Sequence, residues 1–213
     1  MLIFSLFIYF RVKLFEWLEQ RKVEKLFYRK ESFRQADLAL LAAYQSKSPY
    51  KISKEFLKAK NASNIFIYGE TPLTTMHMIS AECGLNSTDT IIEMGAGRGR
   101  TSLFLAAYLG CNVTAYELIP AFVENIPAAA TLKMIHGNMF SADFSKANVI
   151  YLYGTLLEDA EITTLAEAFP KGVKIITVSY PLIDYSQKYV TRKTFSTRFP
   201  WGKTEVYWNE RIS

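Results

Sequence analysis

Apolar and polar positions along this chain repeat with two periods. From residue 90 onward, short β-branched runs alternate with helix-like stretches: 90–94, 112–117, 131–135, 147–153 and 173–180 read as strands, with 101–109, 121–129 and 158–169 as helices. Two further strands, one around Thr194 and one over 204–208, follow the fifth with no helix between them. Such alternation predicts an α/β fold, with a mostly parallel sheet covered by helices and a terminal antiparallel hairpin. Ligands of such a sheet belong at the carboxyl ends of its strands.

Upstream the pattern is helical. Residues 1–10 are almost wholly apolar, and beyond them Val12, Leu14, Phe15, Leu18, Val23, Leu26 and Phe27 are interleaved with charges at near-helical spacing. The apolar start is shorter than the about twenty residues a membrane span requires, and no small-residue cleavage site follows it, as a secretory signal would need. Two readings stay open for 1–27: an amphipathic helix lying on a membrane surface, or one packed on the rest of the chain. Residues 32–43 read as a second helix with Phe33, Ala36, Leu40 and Ala43 on one face. Ser48-Pro49-Tyr50 breaks it, and 51–60 is a short basic stretch with helix character. A boundary near Asn61 divides an N-terminal helical extension, 1–60, from a main domain, 61–213.

Composition narrows the class. With 213 residues, half of them hydrophobic and 21% charged, the chain suits one globular unit and excludes a disordered or fibrous protein. A net charge of +5 would suit anionic lipid, nucleic acid or an acidic protein, and selects none of them. Cys83 and Cys111 lack metal-ligand spacing and read as buried free thiols of a cytoplasmic protein. His77 and His136 are the only histidines, too few for a histidine-rich metal site or an evident triad.

The chemistry concentrates at the end of the first strand, in Glu93-Met94-Gly95-Ala96-Gly97-Arg98-Gly99-Arg100-Thr101. Glycines there permit a tight turn and let a ligand approach the main chain without meeting a Cβ. Three glycines at every second position differ from the dinucleotide fingerprint, whose last two glycines stand three apart. Glu117 closes the second strand, where a carboxylate can accept from both hydroxyls of a ribose. At the end of the third strand, Asn138 can accept from an adenine amino group, and Met139 or Phe140 can cover the ring.

An acidic residue before Gly-x-Gly-x-Gly resembles the first motif of class I methyltransferases, which have a Rossmann-like sheet. Upstream, Tyr68-Gly69-Glu70-Thr71-Pro72 is similar to the Tyr-Gly-Glu-Thr segment of the Dot-one-like, non-SET protein lysine methyltransferases. The order of elements also resembles the mitochondrial c-subunit lysine methyltransferases, and the likeness runs over 64–208. The resemblance implies S-adenosyl-L-methionine as cofactor. Tyr68, Glu70, Thr71 and Glu93 would lie at its methionine end, the backbone of Gly95, Ala96 and Gly97 beside it, and Glu117 at the ribose. It also implies a protein lysine as acceptor, with Tyr153, Tyr68 and Glu70 at the reacting end and Tyr207 as a second aromatic of a lysine channel. One departure stands out: Tyr151-Leu152-Tyr153-Gly154-Thr155 holds no asparagine where the histone-core enzymes have one. Alternatives are an RNA or small-molecule acceptor, or a non-catalytic adenosyl-ligand-binding module; the absence of an Asn/Asp-Pro-Pro-aromatic motif after the fourth strand lowers the nucleic-acid reading. The expected location is cytoplasmic, with peripheral contact at the inner face of a membrane if 1–27 binds lipid.

Overall fold

The computed structural model describes residues 2–66, 68–154 and 157–213, with side chains from Phe10 onward. Seven strands form one sheet: β1 (Thr90–Met94), β2 (Asn112–Glu117), β3 (Leu132–His136), β4 (Val149–Leu152), β5 (Lys174–Val178), β6 (Tyr189–Phe199) and β7 (Gly202–Arg211). Their order is β3-β2-β1-β4-β5-β7-β6; the first five run parallel, and β7 enters antiparallel between β5 and β6. The helices are α1 (Leu2–Phe27), α2 (Glu31–Ala43), α3 (Pro49–Ala59), α4 (Leu73–Glu82), α5 (Arg100–Leu103), α6 (Pro120–Glu124) and α7 (Asp159–Ala168).

Period-two alternation sorts the central strands onto two cores. Ile91, Val113, Val149 and Tyr151 face one cluster with Phe27, Phe33, Met76 and Phe104, while Ile92, Met94, Ile150 and Leu152 face another with Ile162, Leu165 and Phe169. Being buried on both faces is why these strands read as nearly continuous apolar runs. β2 and β4 flank β1 on opposite sides, so the connection direction reverses there and opens a crevice at the carboxyl ends of β1 and β4.

The first two strands coincide with the expected spans; several other elements differ. The helix expected over 121–129 is only α6, because Pro127 disfavours helical backbone at the residue before it. The helix expected over 101–109 changes character at Phe104, and its π-helical turns, Phe104–Leu109, stack Phe104 on Tyr108 at 4.8 Å. β6 and β7 are far longer than expected, since an edge strand alternating Thr, Lys and Ser with few apolar residues gives a weak signal. Ala43, placed on the inner face of the second helix, is exposed; its buried residues are Phe33, Ala36, Asp37 and Leu40.

The N-terminal helices pack on the main domain: Val23, Phe27 and Phe33 enter the first of the two clusters, and Ala36, Leu40 and Tyr44 form a third with Leu103, Ile119 and Phe122. α1 buries Glu19, Val23 and Phe27, spaced one turn apart, against the sheet's helical layer. Its opposite side carries Phe10, Leu14, Trp17 and Leu18, all exposed. Among the described residues, no helix is long and apolar enough to cross a membrane.

Candidate active site

The loop after β1 is shaped by its glycines. Gly95, Gly97 and Gly99 have φ of +72°, +57° and +77°, a region that strains any residue with a Cβ. At Gly97 a Cβ would come 3.0 Å from the Tyr68 hydroxyl, and at Gly99 one would meet Ile126 at 2.5 Å. Glycine at those two positions therefore lets neighbouring side chains close over the loop. The amides of Gly95 and Ala96 both donate to the Tyr116 carbonyl at 3.0 Å, tying the loop to the end of β2.

Glu117, buried at the end of β2, accepts from the Gly97 amide at 2.7 Å and from the Ile119 amide at 2.8 Å. Burial raises its pKa, and those amides oppose the rise. Glu93, buried near the end of β1, accepts from the Ser102 hydroxyl across the first turn of α5. Burial pushes its carboxyl up to about 8, partly countered by the Ser102 bond and reinforced by the Glu117 charge.

Residues 68–72 are stitched across this loop. The Tyr68 hydroxyl donates to Glu70 at 2.6 Å, and Arg98 Nη2 donates to the other Glu70 oxygen at 2.8 Å. Arg98 Nε lies 2.7 Å from Glu70 Oε1 but makes no well-directed hydrogen bond with it. Thr71 Oγ1 and the Tyr151 hydroxyl are 2.5 Å apart, joining the segment to β4. Burial holds the hydroxyls of Tyr68 and Tyr151 well above the ordinary tyrosine range, so both stay protonated.

Two cavities meet here. The larger, about 170 Å³, lies between Phe56 and Leu57 of α3, Ile119 and Phe122, and the Glu117 and Met139 side. The smaller, about 20 Å³, is walled by Glu70, Thr71, Glu93, Ala96, Tyr151 and Tyr153. Gly69, Met94, Gly95 and Tyr153 border both. Tyr153, at the mouth of β4, is parallel to Trp201 with ring centroids 6.0 Å apart, and Phe199 stacks on Trp201 at 4.8 Å. Trp201 is half exposed.

Most of the anticipated residues converge. Tyr68, Glu70, Thr71, Glu93, Gly95, Ala96, Met139 and Tyr153 line these cavities, and Gly97 is held by Glu117, which lines the larger one. Asn138 is exposed, and its carbonyl accepts from the Phe140 amide at 3.0 Å; its neighbours Gly137 and Met139 form the wall instead. Phe140 packs into the core. Tyr207 lines none of the described cavities; it pairs with Thr177 and Thr194 within the sheet. Thr155 lies outside the described residues. Sequence reasoning missed Arg98 as the partner of Glu70, Tyr151 as the partner of Thr71, Trp201 beside Tyr153, and the wall supplied by α3. The amphipathic face of α3 was a usable signal.

A family model, the histone methylation protein DOT1, matches residues 50–167, from the start of α3 through most of α7. Among solved structures, the chain is similar to an RNA methyltransferase from Salinibacter ruber in complex with S-adenosyl-L-homocysteine, with 20% identity, 68% of this chain and 95% of that one covered, and a TM-score of 0.56. It is also similar to a mutant of MtNAS in complex with S-adenosylmethionine, with 12% identity, 84% and 73% coverage and a TM-score of 0.56. A third is geranyl diphosphate methyltransferase in complex with GPP and sinefungin, with 12% identity, 67% and 78% coverage and a TM-score of 0.50. At these identities the likeness is one of fold. No curated protein sequence matches. With more than half of its length matched by the family model, and with this sheet, the chain belongs to the DOT1 histone methylation protein family and is an S-adenosylmethionine-dependent methyltransferase.

Proposed function

We propose that the acceptor is a lysine amine of a protein, received between residues 68–72 and the aromatic group of Tyr153, Phe199 and Trp201. The observation that carries this reading is that group itself: Tyr153 borders both cavities, its ring lies parallel to that of half-exposed Trp201 at 6.0 Å, and buried Phe199 stacks on Trp201 at 4.8 Å. Ring faces attract an alkylammonium chain and exclude water, which favours the neutral amine at the point of attack.

The residues present fit S-adenosylmethionine. Apolar walls of the larger cavity suit an adenine, with Met139 against the ring. Glu117, already fixed by two amides, has oxygen lone pairs left for ribose hydroxyls. Glu93 and the backbone of Gly95, Ala96 and Gly97 would hold the methionine end, which Tyr68, Glu70 and Thr71 cover. When bound, the cofactor supplies an electrophilic methyl: a nitrogen–carbon bond forms as the sulfur–carbon bond breaks, the electron pair stays on sulfur, and the ammonium product loses its proton to solvent. Both Glu70 oxygens are engaged by Tyr68 and Arg98, so this carboxylate orders the segment and orients the reactants. Tyr153 orients the incoming amine.

The exposed side of α1 supports a second part of the reading, peripheral attachment to an anionic membrane at its cytoplasmic face. Phe10, Leu14, Trp17 and Leu18 form one stripe, with Arg21 placed 5.4 Å over the Trp17 ring.

The acceptor is tested by incubating the purified chain and labelled cofactor with a cell extract, then identifying the methylated atom by mass spectrometry. Lysine in protein is the expected product, and Tyr153→Ala should lower kcat on the order of tenfold or more while cofactor affinity holds. Label found only in RNA or metabolites would overturn the lysine assignment and leave the methyltransferase intact.

A further inference from the structure

On the face of α3 turned away from the cofactor cavity, Lys51, Lys54 and Lys58 form one stripe, three and four residues apart and all exposed. They border a groove of about 550 Å³ that is also lined by Tyr50 of the same helix, by Ile65 and Phe66 beyond it, and by Tyr68. Phe66 is 74% exposed and Tyr50 47%, unusually open for aromatic side chains; the Lys54 ammonium sits 4.5 Å over the Phe66 ring. Lys47 is neutralised by Glu55 at 2.5 Å, and Glu55 also feels the Lys51 charge, but none of the three stripe lysines has a carboxylate within ion-pair distance among the described residues. The groove is thus cationic, aromatic-rimmed and adjacent to the site: Tyr68 is common to it and the cofactor cavity, and Phe56 and Leu57 on the other face of α3 close that cavity.

We propose that this groove docks an acidic, extended segment of the acceptor protein, so that a lysine nearby in its sequence reaches Tyr153. This rests on the protein-lysine reading above. Charge and length select the occupant. From Lys51 to Lys58 the stripe runs about 10 Å along the helix, and acidic side chains at alternate positions of an extended chain stand about 7 Å apart on one face. Two such residues cover about 7 Å of the stripe and three about 14 Å, so three alternate acids reach all three lysines. A polynucleotide fits less well, because only three cations line the groove. A bilayer is too flat to enter a concave groove.

The test uses the full chain with cofactor and a fluorescent peptide carrying glutamates at alternate positions and one lysine, against the same peptide with glutamines. The glutamate peptide should bind about tenfold more tightly at low salt, lose that advantage at high salt, and lose it in Lys51→Glu/Lys54→Glu/Lys58→Glu. A peptide with arginines in place of the glutamates should bind the charge-reversed chain better than the original one. Cofactor affinity, read by calorimetry, should be the same in both chains. Equal binding of the glutamate and glutamine peptides, or binding untouched by charge reversal, overturns the docking proposal. So does a single-stranded oligonucleotide or an anionic vesicle that displaces the peptide and is itself lost on reversal. Specific binding without any lysine methylation would instead count against the acceptor reading alone.

Discussion

Glu117 uses a single carboxylate to shape its own loop and to face a ligand. Its oxygens fix the Gly97 and Ile119 amides, so removing them frees two buried donors and also takes away the proposed contact with ribose. Glu117→Ala should weaken cofactor binding by roughly 1.5 to 3 kcal/mol, about tenfold or more, measured by calorimetry. Unchanged affinity in a folded variant would remove the ribose role. Glu93 makes a different prediction, because its folded pKa of about 8 stands above the ordinary 4.5. Below the lower value both folded and unfolded chains hold the proton. Between the two, folding takes up a proton, so stability falls as pH rises, and the loss is complete above about 8. Glu93→Gln should therefore raise the Tm of the cofactor-free protein more near pH 9 than near pH 5, with Ser102 still bonded in both. Parallel Tm curves across that range would contradict the assignment.

At the scale of elements, the glycine loop is anchored from behind by the N-terminal helices. Arg100, first residue of α5, donates to both oxygens of Asp37 in α2 at 2.7 and 2.8 Å and to Gln20 in α1 at 2.7 Å, and Tyr28 donates to the same Asp37. Asp37 is fully buried. Arg100→Met would strand that charge, and denaturant unfolding should show a loss of about 3 to 5 kcal/mol, much of it recovered by adding Asp37→Leu. Glu19 does similar work at α4, accepting from the Thr74 amide at 2.8 Å and its hydroxyl at 2.7 Å, just past residues 68–72. Period and turn residues made β1, β2, the glycine loop and Glu117 legible, because strand burial, glycine φ and a strand-end acid are local signals. Partnerships such as Arg98 with Glu70, Thr71 with Tyr151 and Arg100 with Asp37 join residues 28, 80 and 63 positions apart, and no local pattern encodes them. Asn138 shows the opposite limit, since its carbonyl serves a local turn as well as any ligand.

For the whole molecule, the structure answers one half of the question raised by residues 1–27, the packing of one helix face, and leaves membrane contact as a proposal for the other. One face packs, through Val23 and Phe27, and the other presents Phe10, Leu14, Trp17 and Leu18. Apolar residues on both sides explain why spacing alone could not choose between packing and lipid. A truncation before Arg34 would strip Val23, Phe27 and Phe33 from the core, so surface changes are the better probe. Leu14→Gln combined with Trp17→Gln should keep the fold, judged by an unchanged Tm, and reduce sedimentation with phosphatidylserine vesicles several-fold. Equal sedimentation of the two proteins would remove the membrane proposal.

The bond between Gln20 and Arg100 also imposes an order on synthesis. These residues are 80 positions apart, and at roughly 5 to 20 residues per second the ribosome needs about 4 to 16 s to make the second after the first. Throughout that interval α1 has neither its sheet nor its arginine, and both of its apolar sides face the surroundings. A nascent chain in that state is a client for whatever first covers such a helix, whether a chaperone or a bilayer, before the glycine loop exists to bind anything.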